Sequence, residues 1–351
     1  MPPDDSVCVL YPLREGPWGG GNQFLKALRG ELIRRGLHEP DPARAGMILT
    51  ASWQGLARTS VAALRQQGTP VILRVDGPVS LIRGRDQEID RVIYRFARVV
   101  ADGTVFQSGW SRDANLDAGM RPRGGHTTII NAPDPELFSR DGKQPFDNGR
   151  RTRLIATSWS PNRRKGFDFY EWLDSNLDFE RYEMSFIGNS PVRFANIRLV
   201  PPLDSRALAA ELKAHDIYLT GSRFDPCSNS LLEALHCGLP AVAVRHGGHP
   251  EIIGGGGETF EEFGEAPGLL ERIVSAYAGY QDRIAVRTLS EVVDAYLEFM
   301  RSVRDRVSST PPRRRWEMAS TAIMARAVDF RTGRALLRAG YAAQRSGSVH
   351  L

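Results

Sequence analysis

Short apolar runs alternate with helical periodicity along most of this chain. The first half offers VCVLYP (7–12), MILTAS (47–52), VILRVD (71–76), TVFQS (104–108) and TTIINAP (127–133) as strands. The second offers RLIATSW (153–159), YEMSFIG (182–188), IRLVPP (197–202), DIYLTGS (216–222) and AVAVRHG (241–247). Between them lie stretches with apolar residues three and four apart, such as 24–36 and 205–215. Strands that are apolar on both faces and separated by helices predict parallel sheets covered on both sides. Two runs of similar length and order predict two doubly wound α/β domains, at 1–140 and 150–305, with the Gly-, Asp-, Pro- and Arg-rich segment 138–153 as linker. After Pro267 the pattern is helical and charged. It is broken by Pro311-Pro312 and the three arginines after them, and 306–351 is expected to cross back onto the first domain.

A chain of 351 residues has ample length for two cores. Its formal net charge of +5 is too diffuse to argue for nucleic acid and fits an anionic ligand. Only four of the 46 basic residues are lysines, which makes Lys165 conspicuous. Cys8, Cys227 and Cys237 form neither a disulfide framework nor a metal-ligand spacing, which suits a reduced, cytoplasmic protein. No run reaches the eighteen apolar residues of a membrane span. The basic amphipathic stretches 25–36 and 313–345 leave peripheral contact with the inner membrane face as an option beside an ordinary solvated surface.

The most informative segment is 224–253. A turn at Asp225-Pro226 leads into a short helix from about Ser230 to Cys237, then the strand AVAV and the loop Gly247-Gly248-His249-Pro250-Glu251. Ser230-x-x-Glu233 before an apolar run is also a capping box, which needs no ligand to explain it. The spacing Asp225, seven residues, Glu233, then Gly238-x-Pro240 and Gly247-Gly248-x-Pro250-Glu251, resembles the nucleotide-binding half of the retaining GT-B glycosyltransferases of family 4. Asp225 stands where that family usually has Glu. The segment from Asn131 through Asp134 to Phe138 is similar to the family's strand exit at the domain junction.

The resemblance implies a GT-B fold, two Rossmann-like domains facing each other across a cleft, and a site for a nucleoside diphosphate sugar. By it, Lys165 and a neighbouring arginine, Arg164 or Arg163, contact the diphosphate, because the family's arginine position holds Ser160 here. Gly20 and Gly21, in the loop before the first helix, face the same group with backbone amides. Glu233 holds the ribose. Asp225, Gly248, His249, Pro250 and Glu251 line the sugar, with His249 and His246 otherwise read as polar loop residues. Asp76, in VILRVD, is the candidate for orienting or deprotonating the acceptor; its alternative is an Asp-Gly-Pro turn. Trp18, Trp53 and Gln107-Ser108 are candidates to line an acceptor pocket. The acceptor is a hydroxyl of a saccharide, a lipid-linked molecule or a small natural product.

No cofactor and no metal are implied, since the nearest approach to Asp-x-Asp is Asp134-Pro135-Glu136. Two other readings stay open. A nucleotide-sugar epimerase or hydrolase of the same fold would share the donor site. An NAD-dependent oxidoreductase would read Gly19-x-Gly21 and Glu39 as a dinucleotide fingerprint, although Phe24 occupies the third glycine's place.

Overall fold

A computed structural model describes residues 5–16, 18–51 and 68–309. The chain divides into two compact units. One comprises the N-terminal strand, 28–129 and the chain from Val293 onward, and the other comprises Arg14–Ala27 and Ile130–Val292. The segment 138–153, expected as the linker, lies with the second unit: Phe138 is in its core and Phe146 stacks on Tyr277 at 4.1 Å. Helix Leu289–Ser308 carries the chain back to the first unit, and residues 310–351 lie outside the described residues.

In the first unit five parallel strands run β1 (Val7–Leu10), β2 (Met47–Ala51), β3 (Val71–Val75), β4 (Gly103–Phe106) and β5 (Gly125–Thr128), paired in that order. On the other side of β1 a single bridge joins Val7 to His38. The strand order therefore reverses at β1, whose carboxyl end leads to the glycine loop. The expected strand in TTIINAP forms earlier than its apolar residues suggest, over GHTT.

The second unit has six parallel strands: β6 (Thr152–Ser158), β7 (Tyr182–Gly188), β8 (Arg198–Val200), β9 (Ile217–Thr220), β10 (Ala241–Val244) and β11 (Gly257–Phe260). Their spatial order is β11-β10-β9-β6-β7-β8, the doubly wound arrangement with its reversal between β6 and β9. Alternate residues face two separate apolar layers, Leu154 and Ala156 on one side and Ile155 on the other, as a sheet covered by helices on both faces requires. β11, with only one large apolar residue in Gly-Glu-Thr-Phe, was not expected from the sequence pattern.

The two central strands share a short ladder near their amino ends. β6 pairs with β7 over seven positions, yet with β9 over two, Leu154↔Ile217 and Ile155↔Tyr218. The ladder ends at Ile155 and Tyr218, and the reversal between β6 and β9 is where an open parallel sheet forms a crevice at its carboxyl ends. Their amino ends are locked by Asp216, fully buried, whose carboxylate takes two bonds from Arg150 (2.6 and 2.9 Å) and one from the Arg153 amide (2.8 Å).

Removing Arg150 leaves a buried carboxylate with one donor. Arg150→Ala is expected to lower unfolding free energy by about 3 kcal/mol, read as a lower urea midpoint with unchanged slope. A loss within experimental error would mean that Asp216 does not lock the strand pair.

Candidate functional site

The loops leaving β6 and β9 meet beyond the carboxyl ends of the two strands. After β6 the chain makes one 3₁₀ turn, Arg163–Lys165, whose start Asn162 caps by accepting from the Arg164 amide. Gly166 then opens helix Phe167–Asn176 at φ +92°, a conformation open to glycine, and a Cβ there would stand 2.4 Å from the Gly221 backbone. That approach sets the Lys165 loop against the loop after β9. Lys165 Nζ donates to Asp225 Oδ2 at 2.9 Å, and Ser222 Oγ to the same oxygen at 3.3 Å.

Asp225 is also fixed through its backbone. Its carbonyl accepts from the Gly248 amide at 2.9 Å. Gly247, at φ +68°, lies so close that a Cβ would be 2.3 Å from that oxygen. Phe224 takes φ +58°, rare outside glycine, and is held there: its amide donates to His246 Nδ1 at 3.0 Å, and its ring contacts His246 edge-on. Arg164 lies over the Phe224 ring, with its guanidinium carbon 5.1 Å from the centroid. Arg163, by contrast, is engaged with Asp168 and Glu171 at 2.7 and 2.6 Å on the surface. Of the two arginines, Arg164 is the one placed beside the Lys165–Asp225 pair.

Burial alone would raise the Asp225 carboxyl. The Lys165 ammonium, with hydrogen bonds from Lys165 and Ser222, outweighs it and holds the group below its ordinary value. Glu233 is the opposite case. It is 8% exposed, its carboxylate has no hydrogen-bond partner among the described residues, and burial pushes it up to about 8.

The capping-box expectation for Ser230 and Glu233 does not hold. The helix is Asn229–His236 and its cap is Ser228, which accepts from Leu231 N. Glu233 is thus the fifth helical residue, out of reach of the cap, and helix capping does not account for it. His249 also differs from the expected loop residue. It begins helix His249–Ile253, is fully buried, contacts the Val244 carbonyl through Nδ1 at 3.2 Å, and leaves Nε2 unpartnered. Burial pushes its pKa below the ordinary imidazole value. Pro250 and Glu251 are exposed in that helix's first turn. No sequence signal distinguished the burial of His249, nor Ser222 as a donor to Asp225.

The glycine loop places Gly20 at the start of helix Gly20–Arg34, against Asn229 at the start of the Glu233 helix; a Cβ on Gly20 would sit 2.6 Å from the Asn229 side chain. Asn131 Nδ2 donates to Asn229 Oδ1 at 3.0 Å, tying the expected strand exit to the same point. Gly21 has open space around it. Glu39, the acid of the dinucleotide reading, is buried and accepts from the Asp41 amide in its own turn.

Asp76 lies in the first unit and is more than a turn residue. Its carboxylate pairs with buried Arg74 at 3.2 Å and accepts from Gln107 Nε2, while Asn115 and Ser111 donate to its carbonyl at 2.8 and 3.2 Å. Ser108 caps the helix Gly109–Asp117. Trp53 and the stretch 313–345 lie outside the described residues. In the stretch 25–36, Lys26 pairs with Glu15 and Arg35 with Glu31 and Asp294. All three cysteines are free and buried. Among the described residues no group of three or more His, Cys, Asp or Glu is placed to hold a metal, and no helix is long and apolar enough to cross a membrane.

Glu233 yields a pH-dependent expectation. Its folded-state pKa is raised, so the contribution of its bound proton is complete below about 4.5 and fades as pH rises towards about 8. Glu233→Gln needs no proton. It is expected to flatten the fall in stability of the free protein between about pH 5 and about pH 8.5, a gain of about 2 kcal/mol at the upper pH. Urea midpoints at the two pH values check this; parallel losses in both proteins would refute it.

Residues 181–278 match the family described as glycosyl transferases group 1. No curated protein matches the chain. Among solved structures, it is similar to HepE of Anabaena in complex with UDP-glucose, at TM-score 0.60 and 14% identity over 86% of this chain and 97% of that one. A sucrose-phosphate synthase from Thermosynechococcus elongatus gives TM-score 0.53 and 15% identity over 85% and 80%. An α,α-trehalose 6-phosphate synthase from Burkholderia multivorans gives 0.54 and 15% over 82% and 77%. These likenesses establish the GT-B fold. The family match does not favour the epimerase, hydrolase or oxidoreductase alternatives. Fold and family match together give the coarse class of this chain, a glycosyltransferase of GT-B architecture.

Proposed function

We propose that the chain transfers a glycosyl group from a nucleoside diphosphate sugar to an acceptor hydroxyl, with retention at the anomeric carbon and without metal, as the family 4 pattern implies. The observation that carries this reading is the Lys165–Asp225 pair on the loops after β6 and β9, the two strands at the sheet's reversal. A crevice at the reversal point of an open parallel sheet is where such folds bind nucleotides.

The diphosphate leaves with growing negative charge, and fixed cations aimed at it lower the barrier. Lys165 and Arg164 supply that charge, with backbone amides at Gly20, Gly21 and Gly248 beside them. Asp225 holds Lys165 in place and accepts from sugar hydroxyls through its second oxygen. Glu233 meets the ribose hydroxyls: the donor satisfies a carboxyl that the free protein leaves without a partner. His249 underlies the sugar loop, which Pro250 and Glu251 continue.

In the transfer, the bond from the anomeric carbon to the phosphate oxygen breaks and the bond to the acceptor oxygen forms on the same face. The acceptor proton passes to the departing phosphate oxygen, so no strong protein base is required. Asp76 fits an orienting role on the acceptor hydroxyl, because its carboxylate already compensates Arg74. The HepE structures similar to this chain hold UDP and UDP-glucose, which makes a uridine nucleotide the first donor to test.

A thermal-shift panel of UDP, GDP, ADP, TDP, CDP and NAD, with magnesium or EDTA, tests the reading. One nucleoside diphosphate at ~100 times its dissociation constant is expected to stabilise the protein by about 2.7 kcal/mol, equally in EDTA. Lys165→Ala is expected to abolish the shift. Stabilisation by NAD alone would overturn the proposal, and dependence on magnesium would overturn its metal-independent part.

A further inference from the structure

Two tryptophans stand ring to ring beside the glycine loop and take no role in the donor site proposed above. Trp159 follows the last residue of β6 and stands six positions before Lys165, and Trp18 immediately precedes the glycine loop. Their ring centroids are 5.9 Å apart with planes at 52°, so the two indoles form a splayed pair rather than a stack. They remain 43% and 41% exposed, Trp18 the more so. Indoles are among the most costly surfaces to leave in water, and this pair is kept open.

The pair is also held in position. The Arg14 guanidinium lies over Trp18 at 4.5 Å. Arg14 itself is fixed from both sides by Asn22, which accepts from its amide and donates to its carbonyl, each at 2.9 Å. On the other wall, Asn189 Nδ2 donates to the Trp159 carbonyl at 2.7 Å. Preorganised aromatic walls with a polar rim lose little freedom when a ligand arrives.

We propose that Trp18 and Trp159 form a saccharide subsite, and that the acceptor of the transfer is therefore a sugar. This rests on the transferase reading above and adds the acceptor's chemical class. A pyranose presents a face of polarised C–H groups, which an electron-rich indole face attracts, and a rim of hydroxyls that need polar partners. Arg14, whose guanidinium lies over Trp18, and Ser160, which follows Trp159 in the chain, supply that rim. A bilayer surface fits less well. In the second unit the other exposed large apolar side chain among the described residues is Leu199, on β8, two strands from β6.

The full chain is tested on a glycan array with UDP present, and the strongest glycan is then titrated by indole fluorescence. Saturable binding with a shifted emission maximum is expected. Trp159→Ala and Trp18→Ala are expected to weaken it at least ~10-fold, and Trp159→Phe to recover part of the loss. The UDP-induced thermal shift stays as in the unmodified protein. Substitution at such exposed positions leaves the fold intact. Absence of glycan binding alongside an intact UDP shift overturns the saccharide subsite and leaves the donor reading standing. Glycan binding indifferent to both substitutions, or tryptophan-dependent binding to vesicles of phosphatidylcholine and phosphatidylglycerol at 7:3, also overturns it. Loss of the UDP shift alone counts against the transferase reading, and the glycan titration still decides the subsite.

Discussion

The candidate site depends on a ladder only two residue pairs long. Because β6 and β9 stop pairing at Ile155 and Tyr218, the last residues of each strand and the loops beyond are free to diverge. Asp216 ties the other end of the strand pair together. Lys165 and Asp225, carried on the two diverging loops, then find each other across the opening.

Backbone contact holds that frame together more than side-chain packing does. Gly166 lies against Gly221, and Gly247 against Asp225, each closer than any side chain permits. These two contacts bring three loops, those after β6, β9 and β10, to one place without filling it. Two carboxylates in the same segment then have opposite electrostatics. Asp225 is compensated by a cation and is held ionised, while Glu233 is buried without a partner and tends to keep its proton. Such a pair in one crevice suits a ligand that brings hydroxyls to one and a polyanion beside the other.

Much of this was legible in the sequence, for reasons of spacing. Apolar runs located β7 and β10 closely, because a strand covered on both faces must be apolar throughout. The interval between Asp225 and Glu233 and the glycines after it singled out the segment from which the candidate site is built. Where the structure differs, tertiary contacts decide. Ser230 looked like a cap because local pattern cannot say which of Ser228 and Ser230 starts the helix. Segment 138–153 looked like a linker from its composition, yet Phe138 and Phe146 anchor it to the second unit. His249 looked like a loop residue, since nothing local reports that a histidine beside two glycines will be fully enclosed. Asp76 was visible as a polar strand end, and only the structure shows that buried Arg74 is its partner.

The central claim is that a nucleoside diphosphate occupies the crevice between the loops after β6 and β10. Backbone hydrogen exchange measured by mass spectrometry, with and without saturating UDP, tests it most directly. Slower exchange is predicted in peptides covering 163–168 and 247–251, with segments remote from the crevice, such as 87–99, unchanged. Bound UDP with no protection in either of the first two segments would contradict it.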